Sequence, residues 1–201
     1  MNNIIKNFKT SILEDTKFVH PVKLTYNQNG IDKTWEAVKS FDSVAVLLYN
    51  IDKNAFLLVK QFRAPVYLND KSNLCTYELC AGIIDKDISL EMIVKEEIDE
   101  ECGYDVPLEN IEKITSFYTN VGVSGGKQNL YYAQINDSMK THNGGGIHDE
   151  QIETMYLPID KYKEFIYDES KAKTPGLMFS FVWFMENKTK SKYFVKNSLK
   201  I

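Results

Sequence analysis

Apolar residues recur along this chain in two rhythms, and the rhythms divide it into strands and helices. Val22, Leu24 and Tyr26 alternate with polar neighbours inside 18–26, the spacing of a half-buried strand. Asn27-Gln28-Asn29-Gly30 follows as a turn signal, and Trp35 and Val38 mark a second strand. Residues 1–41 therefore read as a β appendage, a hairpin or meander. Dense apolar runs at 43–49 and 55–62, joined by Asn50-Ile51-Asp52-Lys53-Asn54, predict a hairpin of core strands. A loop is expected from Pro65 to Asn73, then a short strand over 77–80 that ends at Ala81-Gly82. Further strand-like runs lie at 111–118, 129–135 and 151–157. Between the last two, Thr141-His142-Asn143-Gly144-Gly145-Gly146 reads as a flexible loop. Helices are expected from near Asp160 and from Thr174-Pro175, a cap followed by proline at the first helical position. The lysine-rich tail, 188–201, reads as a solvated end.

One helix carries the chemistry. Ser89 can cap its start and Gly103 can stop it in a left-handed conformation, so 89–102 is expected to be helical. At about 100° per residue, with Leu90 as zero, Ile93 falls near about −60°, Val94 near about 40° and Ile98 near about 80°. Those residues make the buried stripe. Glu97 at about −20° and Glu101 at about 20° fall inside it, and Glu100 at about −80° sits on its edge. Lys95, Glu96 and Asp99 take the other side. Buried carboxylates need a compensating cation, and like charges one turn apart repel. Lysines on this helix lie on the wrong face to help. Mg²⁺ or Mn²⁺, hard cations that take oxygen ligands, would resolve both costs.

Composition narrows the class. A chain of 201 residues, 43% apolar and 26% charged, fits one large α/β domain with a substantial core. A formal net charge of −4 argues against a nucleic-acid surface. No apolar run is long enough for a membrane span, and MNNIIKNFKTSILEDT does not read as a signal peptide. Cys75, Cys80 and Cys102 have no framework spacing, which predicts reduced thiols in a cytoplasmic protein. His20, His142 and His148 show no zinc-ligand spacing.

The segment GIIDKDISLEMIVKEEIDEECGY resembles the Nudix box, Gx5Ex7REUxEExGU, where U is a bulky aliphatic residue. Gly82, Glu97, Ile98, Glu100, Glu101 and Gly103 match, and Tyr104 stands at the final bulky position. Ile88 stands where the first Glu belongs, and Glu96 where the Arg belongs. The loss of both removes a supporting ion pair and leaves the metal-binding carboxylates, so neither position is expected to keep a family role. The segments TYNQNGIDKTWEAVKSFDSVAVLLYN, LLVKQFRAPVY, YELCAG, TNVGVSGGKQNLYYAQ and NGGGIHDEQIETMYLP are similar to the UDP-sugar diphosphatase subgroup, a neighbour of the ADP-ribose pyrophosphatases. In the loop Thr119-Asn120-Val121-Gly122-Val123, valine stands where ADP-ribose pyrophosphatases carry proline, which favours a UDP-sugar.

The resemblance implies an α/β fold, the Nudix α/β/α sandwich with a mixed sheet, spanning 42–187. It also implies a homodimer in which the antiparallel N-terminal appendage crosses to the partner. The implied activity is metal-dependent hydrolysis of a nucleoside diphosphate sugar such as UDP-glucose, giving nucleoside monophosphate and sugar 1-phosphate. ADP-ribose or another ADP-sugar is the alternative substrate. A nucleotide-sugar sensor without turnover is the alternative class. Glu97 and Glu101 would hold the metal, with Glu100 as a further ligand or a water-orienting group and the Ala81 carbonyl as a backbone ligand. Glu150, with Asp149 second, is the candidate general base. Glycines 144–146 before it would let the loop close over substrate as a lid does. Arg63 is the candidate phosphate clamp, and Glu78 a support for the metal shell or a structurally paired acid. Trp35 and Glu36 would reach the nucleotide, although Trp35 also reads as an ordinary core aromatic. Lys127 and Gln128, in the loop after two glycines, would touch sugar or phosphate.

Overall fold

The computed structural model describes residues 4–11, 15–16 and 19–189. The tail from 190 onward, and residues 17 and 18 of the first expected strand, lie outside them. Strand β1 (His20–Gln28) turns at Asn29-Gly30 into β2 (Ile31–Lys39), and the two form a separate antiparallel sheet. Asn29 and Gly30 both have positive φ, 57° and 84°, which is why this turn takes Asn-Gly.

The main sheet has seven strands and is mixed, as expected. Strands β3 (Ser43–Asn50) and β4 (Ala55–Gln61) form the predicted hairpin, but they pair only at Leu48–Asn50 against Ala55–Leu57. Beyond that they splay. The expected single strand over 77–80 proves to be two, β5 (Thr76–Glu78) and β6 (Cys80–Ile83), and these fill the gap. β5 pairs with β4, and β6 pairs with the first half of β3. Leu79 lies between them. An apolar run encodes extended backbone but not the partner of each half, so the division was not legible in the spacing. β7 (Ile111–Tyr118) and β8 (Lys127–Ile135) are antiparallel, and β8 runs parallel to β3. β9 (Ile152–Pro158) lies along the other side of β4.

Alternation along β3 sends its side chains to two cores. Val44, Val46 and Leu48 join Ile93, Val94 and Ile98 of the carboxylate helix. Ala45 and Leu47 join Phe165 of α3 (Tyr162–Tyr167) and Leu177, Phe181 and Phe184 of α4 (Pro175–Asn187). The result is the expected α/β/α sandwich. Pro175 occupies the first turn of α4 as predicted, yet the Thr174 side chain makes no capping bond. The helix expected near Asp160 opens as a 3₁₀ turn, Ile159–Lys161, ahead of α3.

Two local expectations change. The stretch expected to be loop from Pro65 contains a short helix, α1 (Ala64–Asn69). Proline presets its first turn, but none of its residues is buried, so it leaves no apolar period to detect. The 89–102 helix is α-helical only over α2 (Leu90–Glu97); Ile98–Cys102 widens into a π turn. Its ends are as predicted: the Ser89 side chain accepts from the Met92 amide, and Gly103 is left-handed at φ 73°. π turns are rare and concentrate at functional sites. Among the described residues no helix is long and apolar enough to cross a membrane.

Candidate functional site

Helix α2 and its π turn lie against β6, and the contact explains the box glycine. A Cβ on Gly82 would stand 1.8 Å from the Glu97 Oε1. Only glycine leaves room for that carboxylate over the strand. Glu101 is 5% exposed, and its Oε2 accepts the Ala81 amide at 3.0 Å. Ala81 thus holds Glu101 through its N–H, while its carbonyl is the atom the sequence nominated.

Neither glutamate has an ion-pair partner among the described residues. Burial pushes the Glu101 carboxyl up to about 8, with Glu97 and Glu150 adding to the rise and the Ala81 amide and Cys80 thiol opposing it. Burial raises Glu97 to about 7, helped by Glu100 and Glu150, with Lys86 opposing. The inward phase predicted for both residues therefore holds. Glu100 is half-buried at the edge of the same turn. Cys80 and Cys102 are fully buried beside Glu101, and burial pushes the Cys80 thiol up, which keeps it an inert apolar neighbour. The described cysteines are all free thiols.

Residues outside the helix fall into place unevenly. Glu150 folds back on its own loop, where its Oε2 accepts the Ile147 amide at 3.0 Å, and it presses against Gly146. Its charge is felt at both Glu97 and Glu101. Asp149 is exposed on that loop next to His148, whose φ is 53°. The glycines ahead of Glu150 do not hang free as a flexible lid. Gly145 and Gly146 donate to the Glu101 and Glu100 carbonyls at 3.0 and 3.1 Å. Gly144, Gly145 and Gly146 all have positive φ, and a Cβ on Gly144 would lie 2.2 Å from the Glu101 carbonyl oxygen. Glycine is there for close approach, a use that composition cannot tell apart from mobility.

Arg63 forks Glu78, with Nε and Nη2 each 2.8 Å from a carboxylate oxygen. Thr76 Oγ1 donates to the same carboxylate. Of the two readings for Glu78, the paired one describes its contacts, and Arg63 presents only its remaining N–H groups elsewhere. Trp35 is not a core aromatic: it is 52% exposed, and its Nε1 donates to the Gly122 carbonyl at 2.9 Å. Glu36 is exposed on β2, across from Lys23. Lys127 and Gln128 open β8 instead of lying in the loop. The Lys127 amide donates to Asp42 Oδ1, and Gln128 reaches Ser43 Oγ at 3.3 Å. Glu96, expected to keep no family role, pairs with Lys86, an ion pair between the loop and α2.

Beside Ala81 and Glu78 opens a cavity of about 550 Å³ between the ends of β7 and β8 and the start of α4. Phe117, Asn120, Gln128 and Gly176 contribute to its wall. A Cβ on Gly176 would come within 2.9 Å of Gln128 Oε1 and narrow it.

The donor set is oxygen from carboxylates, which suits a hard divalent ion. In the side-chain positions shown, no three His, Cys, Asp or Glu among the described residues converge as a ready-made cage. Burial raises both Glu97 and Glu101, and a bound divalent ion would offset that cost. The residues fit the ion.

No family model matches the chain. Curated proteins do. It is 34% identical over 195 residues to the uridine diphosphate glucose pyrophosphatase NUDT14 of Bos taurus, covering 83% of this chain and 88% of that one. It is 30% identical to the protein of the same name in Mus musculus, with the same coverage. It is 33% identical over 171 residues to a GDP-mannose pyrophosphatase of Salmonella paratyphi B, covering 83% of this chain and 87% of that one.

Proposed function

Because this chain belongs to the Nudix family of nucleotide-sugar diphosphatases, hydrolases of phosphoanhydride bonds, we propose that it cleaves the diphosphate of a UDP-sugar such as UDP-glucose. The products are a nucleoside monophosphate and a sugar 1-phosphate. One observation carries the reading: half-buried Glu97 and buried Glu101 stand one turn apart with their pKa values raised to about 7 and about 8. Among the described residues no lysine or arginine forms an ion pair with either, which supports a cation that comes with the reaction.

When bound, Mg²⁺ or Mn²⁺ supplies neutralisation of the diphosphate and an acidified water. Glu97 and Glu101 would hold it, with Glu100 as a further ligand or a water-orienting group and the Ala81 carbonyl as a backbone ligand. Glu150 accepts the proton of the attacking water, with Asp149 next along the loop. Arg63, oriented by the fork to Glu78, turns its free N–H groups toward phosphate oxygens. The cavity beside Ala81 takes one half of the substrate, with Gln128 in its wall at the β8 end and Lys127 the residue before it on the strand.

The N-terminal unit, 1–41, serves as a dimerisation element. Val22, Leu24, Tyr26 and Trp35 share one face of the ribbon and are 37%, 45%, 42% and 52% exposed, an apolar face that a second copy would cover. Trp35 and Glu36 would then stand near the partner's nucleotide. Free thiols at Cys75, Cys80 and Cys102 support a reducing compartment such as the cytoplasm.

A UDP-sugar is preferred because the bovine and murine relatives are named for UDP-glucose and because a valine of the loop 119–123 stands where ADP-ribose enzymes carry proline. GDP-mannose is the second reading, on the name of the Salmonella relative. The test is a panel of UDP-glucose, GDP-mannose and ADP-ribose with Mg²⁺, Mn²⁺ or chelator, read by product phosphate after phosphatase. UDP-glucose should be hydrolysed best, and chelator should abolish turnover. Faster GDP-mannose cleavage would overturn the base preference. Turnover untouched by chelator would overturn the metal role.

A further inference from the structure

The loop that carries Glu150 is sewn to the carboxylate turn. The Thr141 and His142 amides donate to the Gly103 carbonyl at 2.9 and 3.4 Å, and the Gly145 and Gly146 amides continue the seam on Glu101 and Glu100. These bonds are backbone to backbone. A side chain closes the remaining stitch. His142 Nδ1 accepts the Gly144 amide at 3.1 Å, so that nitrogen is bare. The ring hydrogen must then be on Nε2, which donates to Asp99 Oδ1 at 3.1 Å. Asp99 belongs to the π turn, between Glu97 and Glu101. Beyond the glycines the chain is stiff again: the Glu150 amide bonds the Ile147 carbonyl, and Ile152 bonds back to Gly145.

We propose that His142 is a positioning residue for catalysis, locking the glycine run onto the π turn so that Glu150 stands in register with Glu97 and Glu101. This rests on the reading that these three carboxylates serve one diphosphate. The physical need is clear. Three successive glycines in left-handed backbone lose more freedom on ordering than other residues do. A misplaced base costs turnover before it costs binding. His142 and Asp99 are about half exposed, at 48% and 53%, so the effect is modest in size.

The experiment uses the full chain with saturating Mg²⁺, steady-state kinetics on its best nucleotide sugar, and amide hydrogen exchange across 144–146. His142→Ala should lower kcat about three- to tenfold, the range of one net hydrogen bond. KM should stay within about twofold of the wild-type value. Exchange at Gly145 and Gly146 should speed up. His142→Asn keeps an acceptor two residues before Gly144, as Asx turns do, and should recover much of the lost kcat. Wild-type kcat in His142→Ala, unchanged exchange, or no rescue by Asn would each overturn the proposal. Full turnover in Glu101→Gln would instead defeat the reading of the site, and the exchange data would still decide whether His142 holds the loop.

Discussion

Glu78 and Glu101 are buried almost equally, 9% and 5% exposed. Glu78 meets a guanidinium fork and a hydroxyl. Glu101 meets one backbone amide, one thiol and two other carboxylates, and its pKa climbs to about 8. The pair teaches that burial of an acid does not mark a site. What marks it is a buried acid whose counter-charge the fold withholds.

The strongest way to break this contrast is Glu101→Gln. Replacing groups that merely orient metal ligands costs about 10- to 100-fold, so losing a ligand should lower kcat at least about 100-fold. Steady-state assays with saturating Mg²⁺ read this directly, and near-normal turnover would make Glu101 no different from Glu78.

The next effect appears without metal. A carboxyl whose pKa rises on folding keeps its proton at a pH where the unfolded chain has lost it. Stability therefore falls as pH climbs from the unfolded value of 4.5 toward about 8 for Glu101, and toward about 7 for Glu97. Thermal melts in chelator should show Tm dropping across that window. Glu101→Gln or added Mg²⁺ should flatten the drop. A wild-type Tm that holds level would remove the electrostatic half of the comparison.

The smallest effect sharpens the other member. Arg63→Ala strands the Glu78 charge. Breaking a fully buried pair costs about 3–5 kcal/mol, but Arg63 is 44% exposed, so about 1–2 kcal/mol in urea unfolding is expected. Adding Glu78→Gln should return most of that stability. If Arg63 also binds phosphate, activity stays low in the double variant.

Alternation and apolar runs locate the strands well, and the phase of one helix turns Glu97 and Glu101 inward. Ser89 and Gly103 bounded that helix because caps are local chemistry. Signals of the same kind misled where the deciding contact was distant. β1 alternates like a half-buried strand, yet every one of its residues is exposed, because nothing described covers its apolar face. Glycines 144–146 read as freedom and are used for close approach to the Glu101 carbonyl. Arg63 read as a free clamp, and a glutamate fifteen residues on had claimed two of its donors.

The sequence by itself determined the order of elements, the ends of the carboxylate helix and the inward face of its acids, since period, capping and phase act over a few residues. Only the tertiary structure decided that β3 and β4 splay to admit β5 and β6, that Gly82 makes room for Glu97, and that Glu78 is paired with Arg63 while Glu101 receives only a backbone amide and a thiol. Those outcomes depend on which distant backbones and charges come into contact, and local spacing carries no record of that.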